Sequence, residues 1–293
     1  MTSYHRPMRR PSAHSPSVRR RRLAVELRKL REQTGLTGAT AAKNLGWQHS
    51  KITRIERADQ GITQPDLATL LDLYQAGDQA YRDGLMQLAK DAKQRGWWSD
   101  YRDVFGSGAL PDFEAEASTI RTFEAQVITG LLQTPSYTEA IFRGGAAHPG
   151  NVVERHVQAR LERQRILEGV YPAKLYAIID EGALRREVGG AEVMREQLQH
   201  LINSATRHNV DLRVLPFSAG AHAAMLGSFL ILDFEDPLDQ SLAFTESVTT
   251  SQFLEEPHQI ERHNEVYGHL QGSALLPEPS VELIENVMRD NYA

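Results

Sequence analysis

Six side chains able to hydrogen-bond a planar base stand within seven residues. They are Gln48, His49, Ser50, Lys51, Thr53 and Arg54, in the stretch LGWQHSKITRIER from Leu45 to Arg57. Gln pairs bidentately with adenine, and Lys or Arg with the N7 and O6 of guanine, when a helix carries them into a major groove. Their spacing suits that task. With Ile52 and Ile55 turned inward, a helix from about Gln48 to Arg57 leaves the six for solvent or a ligand. Taken alone, such a segment is a solvated amphipathic face, so its meaning depends on what flanks it.

Other chemistry finds no footing. The FGSGALP stretch offers Gly106 and Gly108, but the third glycine of a dinucleotide fingerprint falls on Pro111 and no convincing strand precedes it, so it reads as a turn. There is neither a phosphate-cradling G-x-x-x-x-G-K-[ST] nor a G-x-S-x-G elbow. His258 and His263 are five residues apart, which sets their rings ~140° apart around a helix rather than on one face. His222 lies in a Gly/Ala-rich turn, and Asp180 with Glu181 caps a helix more readily than it does paired acid/base work. With no cysteine, disulfides and thiolate sites are excluded. A binding protein rather than an enzyme is expected, with no cofactor and no metal.

The charge distribution favours a polyanionic partner. Residues 1–57 hold 14 Lys and Arg against 3 Asp and Glu, a net +11, while the remaining residues hold 19 against 35, a net −16. A basic block on an acidic body is the electrostatic footprint of a nucleic-acid-binding module joined to a regulatory or oligomerising domain. No run approaches the ~18 uncharged apolar residues of a membrane span, and no apolar stretch follows the arginine-rich start. The sequence-based expectation is a cytoplasmic protein, nucleoid-associated when bound to DNA.

The elements that must position these residues follow from periodicity. Residues 1–18, rich in Pro, Ser and Arg, read as a flexible basic arm. From 19 to 94 five short helices are predicted. Leu23, Leu27 and Leu30 stripe the first, Thr37 caps an alanine-rich second that Gly46 closes, and the third carries the six polar residues. Pro65 starts the fourth and Asp78 the fifth. The tight turn at Gly46 makes a helix-turn-helix that presents the third helix outward.

Residues 95–112 read as a linker in which Trp97 and Trp98 serve as anchors. Residues 113–293 read as a regulatory and dimerisation domain of α+β type. In it, Phe113, Ala117, Ile120 and Ala125 suggest a helical face, Thr134 caps a helix, and Asn151–Glu168 forms a charged helix that suits a dimer contact or a solvated face equally. Strands are expected at 174–180, 211–217, 228–234 and 241–247, and helices near 191–208, 257–270 and 280–290. Phe217, Phe229, Phe234 and Phe244 are expected to point inward. The predicted fold class is mainly α with a mixed α/β C-terminal domain: a five-helix bundle, a helical segment and a small β-sheet domain.

Two resemblances sharpen this picture. The stretch RRLAVELRKLREQTGLTGATAAKNLGWQHSKITRIERADQGITQPDLATLLDLY resembles the xenobiotic-response-element (Cro/C1-type) helix-turn-helix domain, most closely at LGW…SKITRIER. That family usually carries Gln at the start of the second helix, where it contacts phosphate and braces the first recognition side chain. This chain has Gly38 there. Arg19, Arg20, Arg21 and Arg22 are expected to compensate, with Thr37 also at the DNA. The blocks TIRTFEAQVITGLLQTPSYTEAIF, VERHVQARLERQRIL, IIDEGALRREVGGAEVMREQLQHLI and VLPFSAGAHAAMLGSFLILDFED resemble the C-terminal domain of actinobacterial regulators described as Scr1-family or antitoxin-like (DUF5753-like).

The resemblances imply a transcriptional regulator, and with the helix-turn-helix reading the expectation is a dimer on a near-palindromic operator in double-stranded DNA. Its C-terminal domain would sense a small partner protein or a small-molecule effector. The alternative is an antitoxin-like interaction module for which DNA binding is autoregulation.

Overall fold

Leucines three and four residues apart give α1 (Pro16–Gln33) its buried side, where Leu23, Leu27 and Leu30 enter the core. The computed structural model describes residues 16–93, 96–105, 110–145, 149–235 and 239–292. Most of the expected basic arm, the 94/95 boundary and the Gly106–Gly108 turn therefore lie outside the described residues. The chain divides into two compact units, Met1–Glu116 and Ala117–Ala293.

In the first unit, α2 (Gly38–Leu45) packs on α3 (His49–Glu56) and α3 on α1, while α4 (Gln64–Leu73) packs on α5 (Gln79–Asp91) and α5 on α1. The caps are those the residue types call for. Thr37, Thr63 and Asp78 each accept a backbone N–H through the side chain at the start of α2, α4 and α5, and Pro65 sits in the first turn of α4. Ala41 and Ala42 are buried where α2 meets α3, because only small side chains let the two backbones approach that closely. Ile52, Ile55, Leu67, Leu70, Leu71 and Tyr74 complete the core, and Trp47 packs against it from the turn.

The segment expected as a linker carries a 3₁₀ turn at Trp97–Tyr101, then α6 (Arg102–Phe105) and α7 (Leu110–Glu116), which packs on α1. Trp97 contacts Trp98, Tyr101 and Phe105 edge to face.

The second unit holds a six-stranded sheet in the order β3-β2-β1-β4-β5-β6. The strands are β1 (Ala117–Glu124), β2 (Lys174–Asp180), β3 (Val210–Leu215), β4 (Phe229–Phe234), β5 (Leu242–Glu246) and β6 (Ser251–Leu254). β1, β2 and β3 run parallel, and β4 to β6 form an antiparallel meander joined to β1. Helices α8 (Pro135–Gly145) and α9 (Gly150–Gln164) connect β1 to β2, and α10 (Glu181–Arg185) and α11 (Ala191–Ala205) connect β2 to β3. After β6 come α12 (Pro257–Ser273), packed on β4 and β5, and α13 (Pro277–Asn291), packed on β3 and α11.

The fold class is as expected from the sequence, with three local differences. The residues read as a helical face, Ala117 to Glu124, form the central strand β1. Ala117 and Ile120 are three apart as on a helix, but Ile120 and Phe123 are buried on opposite faces of a sheet covered on both sides, and the β-branched run Thr119, Ile120, Thr122 favours extended backbone. The edge strand β6 is also new; its polar start, Ser251-Gln252, hides any alternation. Finally, Phe217 is 59% exposed rather than inward, in the loop after β3, while Phe229 and Phe244 are buried.

Candidate nucleic-acid interface

The α2–α3 turn depends on one glycine. Gly46 adopts φ +65°, and beyond it the Trp47 N–H returns to the Ala42 carbonyl at 2.8 Å, satisfying the end of α2. Any side chain at residue 46 would be strained in this left-handed backbone. The turn aims α3 with Ile52 and Ile55 buried, at 1% and 3% exposure, and sends the other face outward.

A half-buried polar brace fixes that aim. Arg31 of α1 forms a bidentate pair with Glu56 at the end of α3 (2.8 and 2.9 Å), and its Nη1 donates to the Leu36 carbonyl at 2.7 Å. Tyr74 donates its hydroxyl hydrogen to Glu56 at 3.4 Å. The Glu56 hydrogen bond holds the Arg31 guanidinium above its ordinary range despite partial desolvation. The Arg31–Glu56 pair therefore ties α1, α3, the loop before α2 and the end of α4 together. Sequence periodicity missed this brace, because Arg31 and Glu56 are 25 residues apart.

The six expected residues emerge on α3 in two groups. Gln48, His49, Ser50 and Arg54 are exposed, and the Gln48 side chain makes no capping bond although it occupies the N-cap. Lys51 and Thr53 are half-buried. Lys51 Nζ sits 3.7 Å above the Trp47 ring and 3.0 Å from Asp66 of α4. Burial raises the Asp66 carboxyl, but the Lys51 and Thr63 hydrogen bonds outweigh it and hold the group below its usual value. Lys51 thus anchors α3 to α4 in this conformation. Thr53 donates back to the His49 carbonyl at 3.2 Å.

At the start of α2, Thr37 hydrogen-bonds Thr40 through both the Thr40 N–H (3.1 Å) and the Thr40 hydroxyl (2.8 Å). Thr40 is an exposed polar group here that the sequence pattern did not single out.

The arginines Arg19 to Arg22 lie within α1 and are all half-buried. Arg19 approaches Asp91 at 3.5 Å and Glu116 at 3.8 Å, so its charge is already shared inside the first unit. Arg20 Nε is buried without a hydrogen-bond partner among the described residues. The four do not form one open cationic stripe.

Gly38 acquires a reason. A Cβ built there would lie 3.2 Å from His49 Nε2 and 3.8 Å from Ile52 Cγ2. The imidazole of the recognition helix occupies the space into which a side chain at residue 38 would project.

In the second unit, Asp180 caps α10 by accepting the Gly182 N–H at 2.8 Å, as its position before a helix implies. Glu181 accepts from Arg185 Nε (2.7 Å) and from the Phe217 N–H (2.8 Å). His222 Nδ1 accepts the Ala224 N–H at 3.3 Å while its ring packs on Phe123. Among the described residues no group of three or more His, Asp or Glu is placed to hold a metal ion, and no helix is long and apolar enough to cross a membrane.

A short turn closed by Gly46, with a braced second helix offering polar side chains, defines a helix-turn-helix protein. Consistent with this, residues 22–85 match the family model described as Helix-turn-helix domain, and residues 108–286 match Domain of unknown function (DUF5753). The chain belongs to the DUF5753 family and carries an XRE-like helix-turn-helix ahead of that domain. No curated protein and no solved structure matches the chain.

Proposed function

We propose that this protein is a dimeric, sequence-specific transcriptional regulator, not an enzyme, whose second unit senses an effector. The observation that carries the reading is the pairing of exposed Gln48, His49, Ser50 and Arg54 with the half-buried Arg31–Glu56 brace. Exposed polar side chains alone are a solvated surface; held stiffly on a helix behind a tight turn, they suit base edges. In a dimer, two copies of α3 enter successive major grooves about 34 Å apart on a near-palindromic operator.

Thr37 and Thr40, with Thr53, face the phosphates. Lys51 joins the base contacts once its tie to Asp66 yields. Arg20, Arg21 and Arg22 add charge along the backbone. Arg19 contributes least, being shared with Asp91 and Glu116. Phosphate neutralisation supplies much of the affinity, so binding weakens steeply with salt.

Selection of bound duplexes from a randomised pool by the full-length protein tests this reading. The expected result is one enriched motif with two-fold symmetry. A pool that remains random at a salt concentration where the protein is still bound rejects sequence-specific recognition.

A second reading, an antitoxin-like module that binds a small partner protein, draws on the exposed Leu161, Val170 and Tyr171 along the segment from α9 to β2. Stoichiometric co-purification of a small protein from the native host favours that reading. Tight operator binding by the protein alone favours the first.

A further inference from the structure

In the second unit, an open cavity of about 300 Å³ lies where β4 begins and β5 ends. That size suits a small organic ligand rather than a single water or ion. Its position has a topological logic. The connection leaving β3 passes the carboxyl ends of β2 and β1 before entering β4, with Phe229 paired to Phe123 of β1. Open α/β sheets bind ligands at such an edge, where the strand order changes direction.

The cavity is lined by groups of distinct chemistry. Buried Phe229 and Ala224 make it apolar on one side, and Leu226, fully exposed, stands on the rim. From α12 comes His263, whose Nδ1 sits 2.8 Å from the Gln259 carbonyl and whose ring meets Phe229 edge to face at 5.2 Å. Since a carbonyl only accepts, the neutral ring carries its proton on Nδ1 and leaves Nε2 as an acceptor. Arg262, on the same helix, lines the cavity while sharing charge with Glu265 at 3.1 Å. Glu246 stands on the β5 side, so an anionic group is steered toward α12.

The walls are pre-formed. Ser228 Oγ accepts the Ala125 N–H at 3.0 Å, the Ala224 N–H is held by His222, and the Ser247 N–H donates to the Thr250 carbonyl at 2.7 Å to close the β5–β6 turn. A site with fixed walls loses little ordering entropy on binding.

We propose that this cavity is the effector site: it takes a small molecule with an apolar ring or short chain, a hydroxyl or N–H for His263, and a carboxylate for Arg262. The word effector rests on the regulatory reading above, but the site itself does not.

Fluorine NMR of para-trifluoromethylbenzoate with the full-length protein, without DNA, tests the site. Saturable binding is expected, weakened at least about tenfold by Ala223→Trp on the exposed lining. Leu226→Trp, at a fully exposed position, is the second blocking variant should Ala223→Trp fail to fold. Arg262→Ala is expected to weaken the benzoate about threefold or more and to leave the uncharged para-trifluoromethylbenzyl alcohol unaffected. Absence of saturable binding, or binding that the blocking variants leave unchanged, overturns the site. Equal effects of Arg262→Ala on both probes overturn the carboxylate assignment. Probe binding that persists in a protein showing no operator binding keeps the site while removing the regulatory role.

Discussion

The outer face of α3 and the cavity beside β4 distribute burial in opposite ways. On α3 the groups offered to a partner are exposed and contiguous in sequence, while what holds them, Ile52, Ile55, Arg31 and Glu56, is buried or nearly so. Around the cavity the offered groups come from β4, β5, α12 and the connecting loop, dozens of residues apart, and two of them, Ala224 and Phe229, are themselves part of the core. A surface of the first kind can change its side chains without changing its fold. In a surface of the second kind, specificity and stability are harder to separate, because Phe229 serves both.

The largest effect that sharpens this contrast is expected at Ile52. Its side chain is 1% exposed, and Ile52→Ala should destabilise the first unit by about 2–5 kcal/mol through lost burial and a residual cavity. Urea unfolding followed by circular dichroism reads this directly. Gln48→Ala, by contrast, should move the same midpoint by no more than about 0.5 kcal/mol, as an exposed substitution that breaks no cap bond. Equal shifts would dissolve the division between brace and reader.

The next effect lies in the second unit. Burial pushes the Glu124 carboxyl, at the end of β1, up to about 7, against hydrogen bonds with Thr122 and Ser228 and the attraction of Arg163 and Arg160. A carboxyl raised in the folded state holds its proton more tightly there than in the unfolded chain. Its stabilising contribution is therefore full below about pH 4.5 and is lost as the pH climbs toward 7, at a cost of at most about 3 kcal/mol. Stability measured across that window should decline in the wild type, and Glu124→Gln should flatten the decline. Parallel curves for the two proteins would show that this carboxyl does not titrate in the window.

A smaller effect is expected at Gly38. Adding a side chain there drives atoms against the His49 ring, so Gly38→Gln should lower affinity for the selected operator by about tenfold, roughly 1.4 kcal/mol, while leaving scrambled duplexes nearly unaffected. Unchanged operator preference would mean that the seat of the His49 ring has no bearing on recognition.

How much of this was legible in sequence follows the same contrast. The helix-turn-helix is local: Thr37, Gly46, Pro65 and Asp78 announce their caps and turns, and the inward isoleucines identify the outward face. Three of the strand boundaries in the second unit, those of β2, β4 and β5, were equally readable from apolar runs between turn residues. The central strand was not. Ala117 to Glu124 has helix-like spacing, and only its pairing with Lys174–Ile179 and Phe229–Phe234, at least 50 residues away, makes it extended.

Distance also hid the Arg31–Glu56 brace and the tie between Lys51 and Asp66, which withdraws a residue that local periodicity assigns to the outer face. The charge imbalance pointed to a cationic patch at Arg19–Arg22. It could not show that Arg19 folds back onto Asp91 and Glu116.

The central claim, that the outer face of α3 reads base sequence, is tested most directly by fluorescence anisotropy. Gln48→Ala and His49→Ala would each be titrated against the selected operator and a scrambled duplex at fixed salt. Each variant should lose about 1–3 kcal/mol on the operator and almost nothing on the scramble, collapsing the specificity ratio. Equal losses on both duplexes, or no loss on either, would contradict it.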